Sequence, residues 1–176
     1  MTHETIFAGF GGQGILFAGK SIAYAGMTEN KNVSHLPSYG PEMRGGTCNC
    51  HVIVSDDPVA SPIIVEPTAL IAMNAPSFDK FEGQLIPGGK AIVDSTLVSR
   101  DAKRDDIDVY KIPATEMANS MGLPKLANMI MVGKLVKETG MFTYDELIGS
   151  LKKLVPSSKP ELLENNIKAV DAGYNF

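Results

Sequence analysis

The sequence predicts a single α/β domain in which helices flank a largely parallel β-sheet. Short apolar runs that suit buried strands alternate along the chain with segments of helical periodicity. No internal repeat or low-complexity linker divides the chain, so we expect residues 1–176 to form one domain. With 176 residues, 44% of them apolar, the chain can bury a core without disulfides or metals.

In the first third, a strand near Thr5–Ala8 leads into a glycine-rich turn. The spacing of apolar residues then predicts a helix from Ile15 to about Met27. A weak strand near Asn32–His35 precedes a long polar loop, Leu36–Gly46. Alternating side chains predict a strand at Thr47–Ser55. Because this last strand looks antiparallel to its neighbours, a mixed sheet is the alternative to a parallel one.

In the rest of the chain, Ala69–Met73, Ala91–Val93 and Asp108–Ile112 are compact runs that predict further strands. The last third is helical. A helix beginning near Leu126 is apolar almost all round, so its second face needs cover from a partner or from another element of the domain. Two further helices open with apparent capping boxes. The boxes are Thr143–Glu146 and Ser158–Glu161.

Composition limits the partners of the chain. It has 16 Lys and Arg against 20 Asp and Glu, a formal net charge of −4. An acidic chain is poorly suited to a phosphate backbone, so we expect no nucleic-acid partner. No apolar run reaches about 18 residues, and no basic segment opens the chain, so we expect no membrane partner and no signal peptide. We therefore expect a cytoplasmic protein.

Gly9-x-Gly11-x-x-Gly14 lies between a predicted strand and a predicted helix. Glycines permit positive φ angles and close approach, and a helix N-terminus offers free N–H groups to a phosphate. A dinucleotide site also requires an acidic residue about 20 positions later. Lys31–Tyr39 contains no Asp or Glu, which argues against NAD. Phosphate binding and simple strand–helix packing both remain open.

The segment Pro37–Gly46 concentrates an aromatic ring, an acid–base pair and three glycines. Arg44 could hold a carboxylate or phosphate through two hydrogen bonds. Glu42 could orient that arginine or pair with a basic group of another chain. An internal Glu42–Arg44 interaction that only stabilises the loop is the alternative.

Four segments together resemble the gamma subunit of 2-oxoacid:ferredoxin oxidoreductases. They are Gly9–Ile15, Pro37–Thr47, Ser61–Pro62 and Ile71–Ser77. The resemblance runs in order from about residue 5 to residue 140 and includes Asn128 and Gly133. It implies a Rossmann-like fold. Within the family, Pro37–Thr47 is more similar to the 2-oxoglutarate and 2-oxoisovalerate (branched-chain) types than to the pyruvate type.

The resemblance implies a component of a larger oxidoreductase that is inactive alone. The complex converts a 2-oxoacid and coenzyme A to an acyl-CoA, CO2 and reduced ferredoxin. Alpha and beta subunits hold thiamine diphosphate and magnesium, and beta or a ferredoxin-like delta subunit holds the iron–sulfur clusters. This chain has two cysteines and lacks the Gly-Asp-Gly…Asn pattern of a thiamine diphosphate site, so we expect it to bind none of these cofactors alone. When isolated from these partners, the chain could pair with itself as a homo-oligomer.

The resemblance also suggests which residues of this chain matter, with no catalytic residue and no metal ligand among them. We expect the turn to accept a phosphate of coenzyme A or to form an interface, and three residues of the following loop to face the active site. These residues are Gly11, Gly12, Gln13 and Gly14 in the turn, and Tyr39, Glu42 and Arg44 in the loop. The alternatives are a stand-alone NAD- or flavin-binding oxidoreductase and a homo-oligomeric binding module.

Two other motifs draw attention, but neither predicts a functional site. Cys48-x-Cys50-His51 has the residue types of a metal site, but a strand places His51 on the face opposite both thiols. We therefore expect core cysteines. The mixed-sign run Arg100–Asp106 is typical of a solvated surface turn.

Overall fold

The computed structural model of the chain describes residues 1–38 and 47–176, with only the backbone of Thr47. Within these residues the chain forms a six-stranded sheet in the order β2-β3-β1-β4-β5-β6. The strands are β1 Thr2–Phe10, β2 Asn32–Pro37, β3 Thr47–Ser55, β4 Ala69–Ala72, β5 Lys90–Asp94 and β6 Asp108–Ile112. The helices are α1 Ile15–Thr28, α2 Ala75–Phe81, α3 Ala114–Ser120, α4 Ala127–Thr139, α5 Tyr144–Leu154 and α6 Pro160–Tyr174.

The sheet is mixed. β1 pairs in parallel with β4 and antiparallel with β3, so that Phe7 lies opposite both Ile71 and Cys50. β4, β5 and β6 are parallel, and β2 pairs antiparallel with β3. The α/β class and the strands Thr47–Ser55 and Asp108–Ile112 are confirmed. The predicted weak strand extends to Pro37, because its backbone continues to pair with β3 as far as Cys50.

Each face of the sheet builds its own core. Phe7 of β1 and Cys50 and Val52 of β3 pack with α1, α4 and α5. Ile6 and Ile53 point to the other face, where α2 covers them. Successive side chains of a strand point to opposite faces, so the predicted alternation in β3 is confirmed.

The apolar helix α4 is covered by its own chain. It packs on β4 and β5 on one side and against α1, α3 and α6 on the others. A Cβ at Gly133 would overlap the carbonyl oxygen of Val170, and one at Gly173 would overlap that of Ile130. The two glycines therefore let α4 and α6 cross backbone to backbone, and no partner chain is needed to bury α4.

The helix starts only partly follow the prediction. At α5 the capping box is confirmed, with Thr143 and Glu146 each accepting a hydrogen bond from the other's backbone N–H. At α6 it is wrong, because the helix begins one residue later than a Ser158 cap requires. Pro160 takes the first helical position, where a missing N–H costs nothing. Among the described helices, none is long and apolar enough to cross a membrane.

The charged run Arg100–Asp106 was predicted to be solvated, and for its two arginines that prediction is wrong. They converge on Glu82, which is 3% exposed. Arg100 donates to Glu82 Oε2 at 2.7 Å, and the Arg104 backbone N–H donates to Oε1 at 3.2 Å. The Lys103 backbone N–H donates to the same Oε1. A buried carboxylate thus fastens the loop between β5 and β6 to the end of α2.

Candidate functional site

The candidate site is the turn Gly11–Gly14, which joins the carboxyl end of β1 to α1. Gly12 and Gly14 have φ angles of 95° and 75°, a region that favours glycine. Gly14 is the N-cap of α1, so no side chain caps the helix there, and its first turn carries no acidic residue. The first turn of this 14-residue helix thus brings no negative side chain of its own to the positive end of the helix, which suits an anion.

Gln13 holds this turn in place. Its Oε1 accepts a hydrogen bond from the Phe10 backbone N–H at 2.6 Å, and its Nε2 donates to the Met73 carbonyl oxygen at 3.0 Å. The side chain therefore bridges the ends of β1 and β4. Although we expected Gln13 to line a phosphate-accepting turn, the structure gives its side chain a positioning role and leaves its backbone in the turn.

Asn128 closes the turn from the side of α4. Its Nδ2 donates to the Gly14 carbonyl oxygen at 3.0 Å. A Cβ added to Gly14 would lie 2.5 Å from the same nitrogen. Gly14 is thus required both by its φ angle and by the close approach of α4. Only the fold brings Asn128 here, across 114 positions of sequence.

Two clefts open at the turn, and both are lined by Gly12. The first has a volume of about 290 Å³ and lies beside α1, against Phe10 and Phe17. The second has a volume of about 190 Å³ and lies between the turn and the starts of α3 and α4. Thr115 and Lys125 line the second cleft. The turn therefore lies between an apolar cleft and one that offers a hydroxyl and an ammonium group.

Asp94 positions the second cleft and was not anticipated from the sequence. It is fully buried at the carboxyl end of β5. Its Oδ2 accepts from Thr115 Oγ1 at 2.6 Å, which fixes the start of α3. An aspartate that directly follows the buried run Ala91–Val93 was the available signal, since parallel strands bring such ends together.

The cysteines do not fit a metal or iron–sulfur site. Cys48 and Cys50 are buried, free thiols, as predicted. Burial raises the pKa of the Cys50 thiol to about 12 and raises that of Cys48, whereas cluster ligands are thiolates. His51 points to the other face, where its Nδ1 accepts from the Ile64 backbone N–H at 3.0 Å. Throughout residues 1–38 and 47–176, no group of three or more His, Cys, Asp or Glu side chains is placed to hold a metal ion.

The remaining predicted site residues, Tyr39, Glu42 and Arg44, lie outside the described residues. The strands that flank them are described. Pro37 at the end of β2 pairs with Cys50, and Thr47 at the start of β3 pairs with Phe10 of β1. Both ends of this connection therefore lie at the same edge of the sheet as the glycine turn.

The topology argues against the NAD alternative. In the dinucleotide fold the strand that carries the ribose-binding acid lies next to β1. Here β3 lies between β1 and β2, which separates them by about 10 Å. The end of β2 reads Leu36-Pro37-Ser38 and carries no carboxylate. The glycine turn is present without the partner that would hold a dinucleotide ribose.

Comparison with known proteins matches residues 4–176 to the family described as pyruvate ferredoxin/flavodoxin oxidoreductase. The chain belongs to this family. The 2-oxoglutarate synthase subunit KorC of Methanocaldococcus jannaschii is 34% identical over 99% of this chain and 93% of its own length. The gamma subunit of a keto/oxoacid ferredoxin oxidoreductase from Geobacter sulfurreducens has the same fold, with a TM-score of 0.83 and 30% identity over 98% of this chain and 96% of that one.

A second kind of relative is much longer. The ketoisovalerate oxidoreductase subunit VorA of Methanothermobacter marburgensis is 35% identical over 96% of this chain, which spans only 35% of VorA. A unit like this one is therefore joined to other sequence within a single polypeptide in some members of the family.

Proposed function

We propose that this chain is the gamma subunit of a 2-oxoacid:ferredoxin oxidoreductase complex. The complex converts a 2-oxoacid and coenzyme A to an acyl-CoA, CO2 and reduced ferredoxin. The substrate is 2-oxoglutarate or 2-oxoisovalerate, which agrees with the names of KorC and VorA and with the form of Pro37–Thr47. Alpha and beta subunits are the proposed partners, with a ferredoxin-like delta subunit as a possible fourth.

Within the complex, this chain forms part of the coenzyme A environment. The observation that carries this role is the uncapped start of α1 at the glycine turn, flanked by an apolar cleft and by Lys125. Coenzyme A combines phosphate groups with a less polar pantetheine arm, and the turn offers a surface for each. We propose that Tyr39, Glu42 and Arg44 act at the same edge, where the ends of their connection lie.

Thiamine diphosphate, magnesium and the iron–sulfur clusters belong to the other subunits. The buried, protonated cysteines of this chain support that division, because a cluster requires exposed or pre-organised thiolates. This chain then contributes binding and interface surface, and the redox chemistry takes place on its partners.

Purification of the tagged chain from its anaerobically grown source tests the proposal. The eluate is assayed for coenzyme A-dependent viologen reduction with 2-oxoglutarate, 2-oxoisovalerate and pyruvate in turn. We expect larger subunits to co-purify, with activity on one of the first two acids. A single band that is inert with every acid would refute the complex. Activity on pyruvate alone would refute the substrate assignment.

Removal of two cations tests the coenzyme A role. In the assembled complex, Lys125→Glu should raise the KM for coenzyme A about fivefold or more, and Arg44→Ala should do so too, since each removes a cation at the proposed phosphate site. Lys168→Glu on α6 is the matched control, because that lysine is exposed and lines neither cleft. Equal coenzyme A kinetics in all three variants would exclude this edge as the site.

A further inference from the structure

The sheet carries a second surface of interest at its amino edge, opposite the glycine turn. Pro58–Glu66 crosses this edge, since β3 ends and β4 begins there. With Glu4 and Asp57 we call it the 58–66 surface. It contains Ser61-Pro62, a segment on which the family resemblance rests and to which the proposed coenzyme A site gives no role.

The 58–66 surface is fixed in position. Ile64 is 3% exposed and packs into the core on the α2 face of the sheet. Its backbone N–H donates to His51 Nδ1 at 3.0 Å. Ser61 Oγ accepts from the Ile63 N–H at 3.2 Å. The segment is thus held by its middle, and the residues on either side of Ile64 are presented outward.

Those neighbours are two large apolar side chains in water. Ile63 is 61% exposed and Val65 is 71% exposed. Anchoring by Ile64 prevents both from turning into the core. Together the two side chains form a small apolar patch, which contact with another molecule would remove from water.

Beside Ile63 lies a cavity of about 260 Å³ with an acidic lining. Glu4 and Asp57 line it, together with the hydroxyls of Thr2, Ser55 and Ser61. Nearby Asp56 pairs with Lys31 and with the amino group of Met1, which leaves one positive charge against the three carboxylates of Glu4, Asp57 and Glu66. Across the described part of the chain, Glu4, Asp57 and Glu66 form no ion pair, so the surface keeps its negative charge.

We propose that another protein subunit of the same complex docks on the 58–66 surface. Its lysine or arginine side chain enters the acidic cavity, and its apolar side chains cover Ile63 and Val65. The inference rests on the proposed function, since it requires a complex. A second copy of this chain fits less well, because a two-fold contact would set the surface's carboxylates against their own copies.

The test is assembly of the tagged chain with its separately purified catalytic subunits. The double variant Ile63→Asp/Val65→Asp should bind at least 100-fold more weakly than the wild type. Asp57→Lys should bind about tenfold more weakly and lose most of the salt dependence. Met27→Asp is the matched control, since Met27 is 62% exposed on α1, and it should assemble normally. Unchanged thermal unfolding of the isolated variants shows that they are folded.

A second measurement uses only the wild type. Backbone hydrogen exchange across 58–66 should slow at least tenfold when the complex forms. If the wild type assembles while the variants bind equally well and 58–66 is not protected, the surface is refuted and the proposed function stands. If the wild type binds no catalytic subunit, both fail. If the isolated chain dimerises and the double variant abolishes that dimer, the surface belongs to a second copy and the proposal is overturned.

Discussion

Two loops of this chain are each held by one polar side chain. They differ in whether that side chain brings a charge that must be neutralised. Gln13 joins the glycine turn to β4 through the backbone of Phe10 and Met73. Glu82 joins the β5–β6 loop to α2 through Arg100 and two backbone N–H groups. In the first loop no side chain of the described residues caps the start of α1. In the second, the carboxylate and its donors satisfy one another.

The difference shows how a fixed loop becomes a site. Gln13 is neutral and hydrogen-bonds to neighbouring strand ends, so its side chain adds no negative charge at the positive end of α1. Glu82 brings its charge into the protein and meets Arg100, which also stacks 4.2 Å from the Phe78 ring. The first loop is therefore the one to which we assign anion binding, whereas the second stabilises the fold.

Among these variants, Glu82→Gln in the second loop should destabilise the protein most. The amide removes the charge that pairs with Arg100, and its NH2 group must face either Arg100 or the two backbone N–H donors, all of which are donors themselves. We expect a loss of about 3 kcal/mol in the free energy of unfolding, as for one partner removed from a buried pair. Urea denaturation of the isolated chain measures it. Asp79→Asn is the control, because Asp79 also approaches Arg100, at 2.7 Å, but is 48% exposed. Similar losses in both variants would contradict the assigned role of burial.

Gly14→Ala in the first loop should have a smaller effect and lower the free energy of unfolding by about 2 kcal/mol. A positive φ costs about 1 kcal/mol for alanine, and the overlap with Asn128 adds to it. Gly12→Ala separates the two causes, since Gly12 has a φ of 95° but open space around its Cβ position. Thermal or urea unfolding should show a smaller loss for Gly12→Ala. Equal losses would mean that the contact with α4 does not matter.

Gln13→Glu sharpens the comparison by making the first anchor resemble the second. The carboxylate still accepts from Phe10 but cannot donate to the Met73 carbonyl oxygen, so we expect a loss of about 1 kcal/mol. Its charge also occupies the end of α1, so the KM of the complex for coenzyme A should rise about tenfold. Gln84→Glu, in an exposed turn, should change neither. A stability loss with unchanged coenzyme A kinetics would reduce Gln13 to a purely structural residue.

The sequence pattern predicted those helices and strands that are determined by residues close together in the chain. Thr47–Ser55 alternates strictly, and the Thr143–Glu146 box is complete within four residues, so both were found. β1 is longer than the predicted Thr5–Ala8 because pairing with β3 adds the polar residues Thr2–Glu4 at one end and Gly9–Phe10 at the other. α2 and α3, of seven residues each, are too short for a periodic signal.

The glycine turn could be found from sequence, but what holds it could not. Its glycines mark positive φ directly. Gln13, Asn128 and Asp94 act on partners far along the chain, and nothing local distinguishes a bridging Gln13 from a ligand-binding one. For the same reason Arg100 looked solvated, since its partner Glu82 lies 18 residues earlier.

Asp56 is a third polar anchor, and because it is exposed we expect its loss to have the smallest effect on stability. It accepts hydrogen bonds from Lys31 and the Met1 amino group, which lower its pKa from 3.8 to about 2. A carboxyl whose pKa is depressed by folding stabilises the protein above its unfolded pKa, and this contribution is lost as pH falls from about 4 to about 2.

Asp56→Asn should therefore lower the melting temperature slightly at pH 7 and leave it unchanged near pH 2. Asp57→Asn is the control, because Asp57 forms no ion pair within the described residues, and it should leave the melting temperature at pH 7 close to that of the wild type. Because water and salt screen the exposed pair, the difference should also shrink at high ionic strength. A gap that persisted at pH 2 would show that Asp56 acts through its shape and not its charge, unlike Glu82.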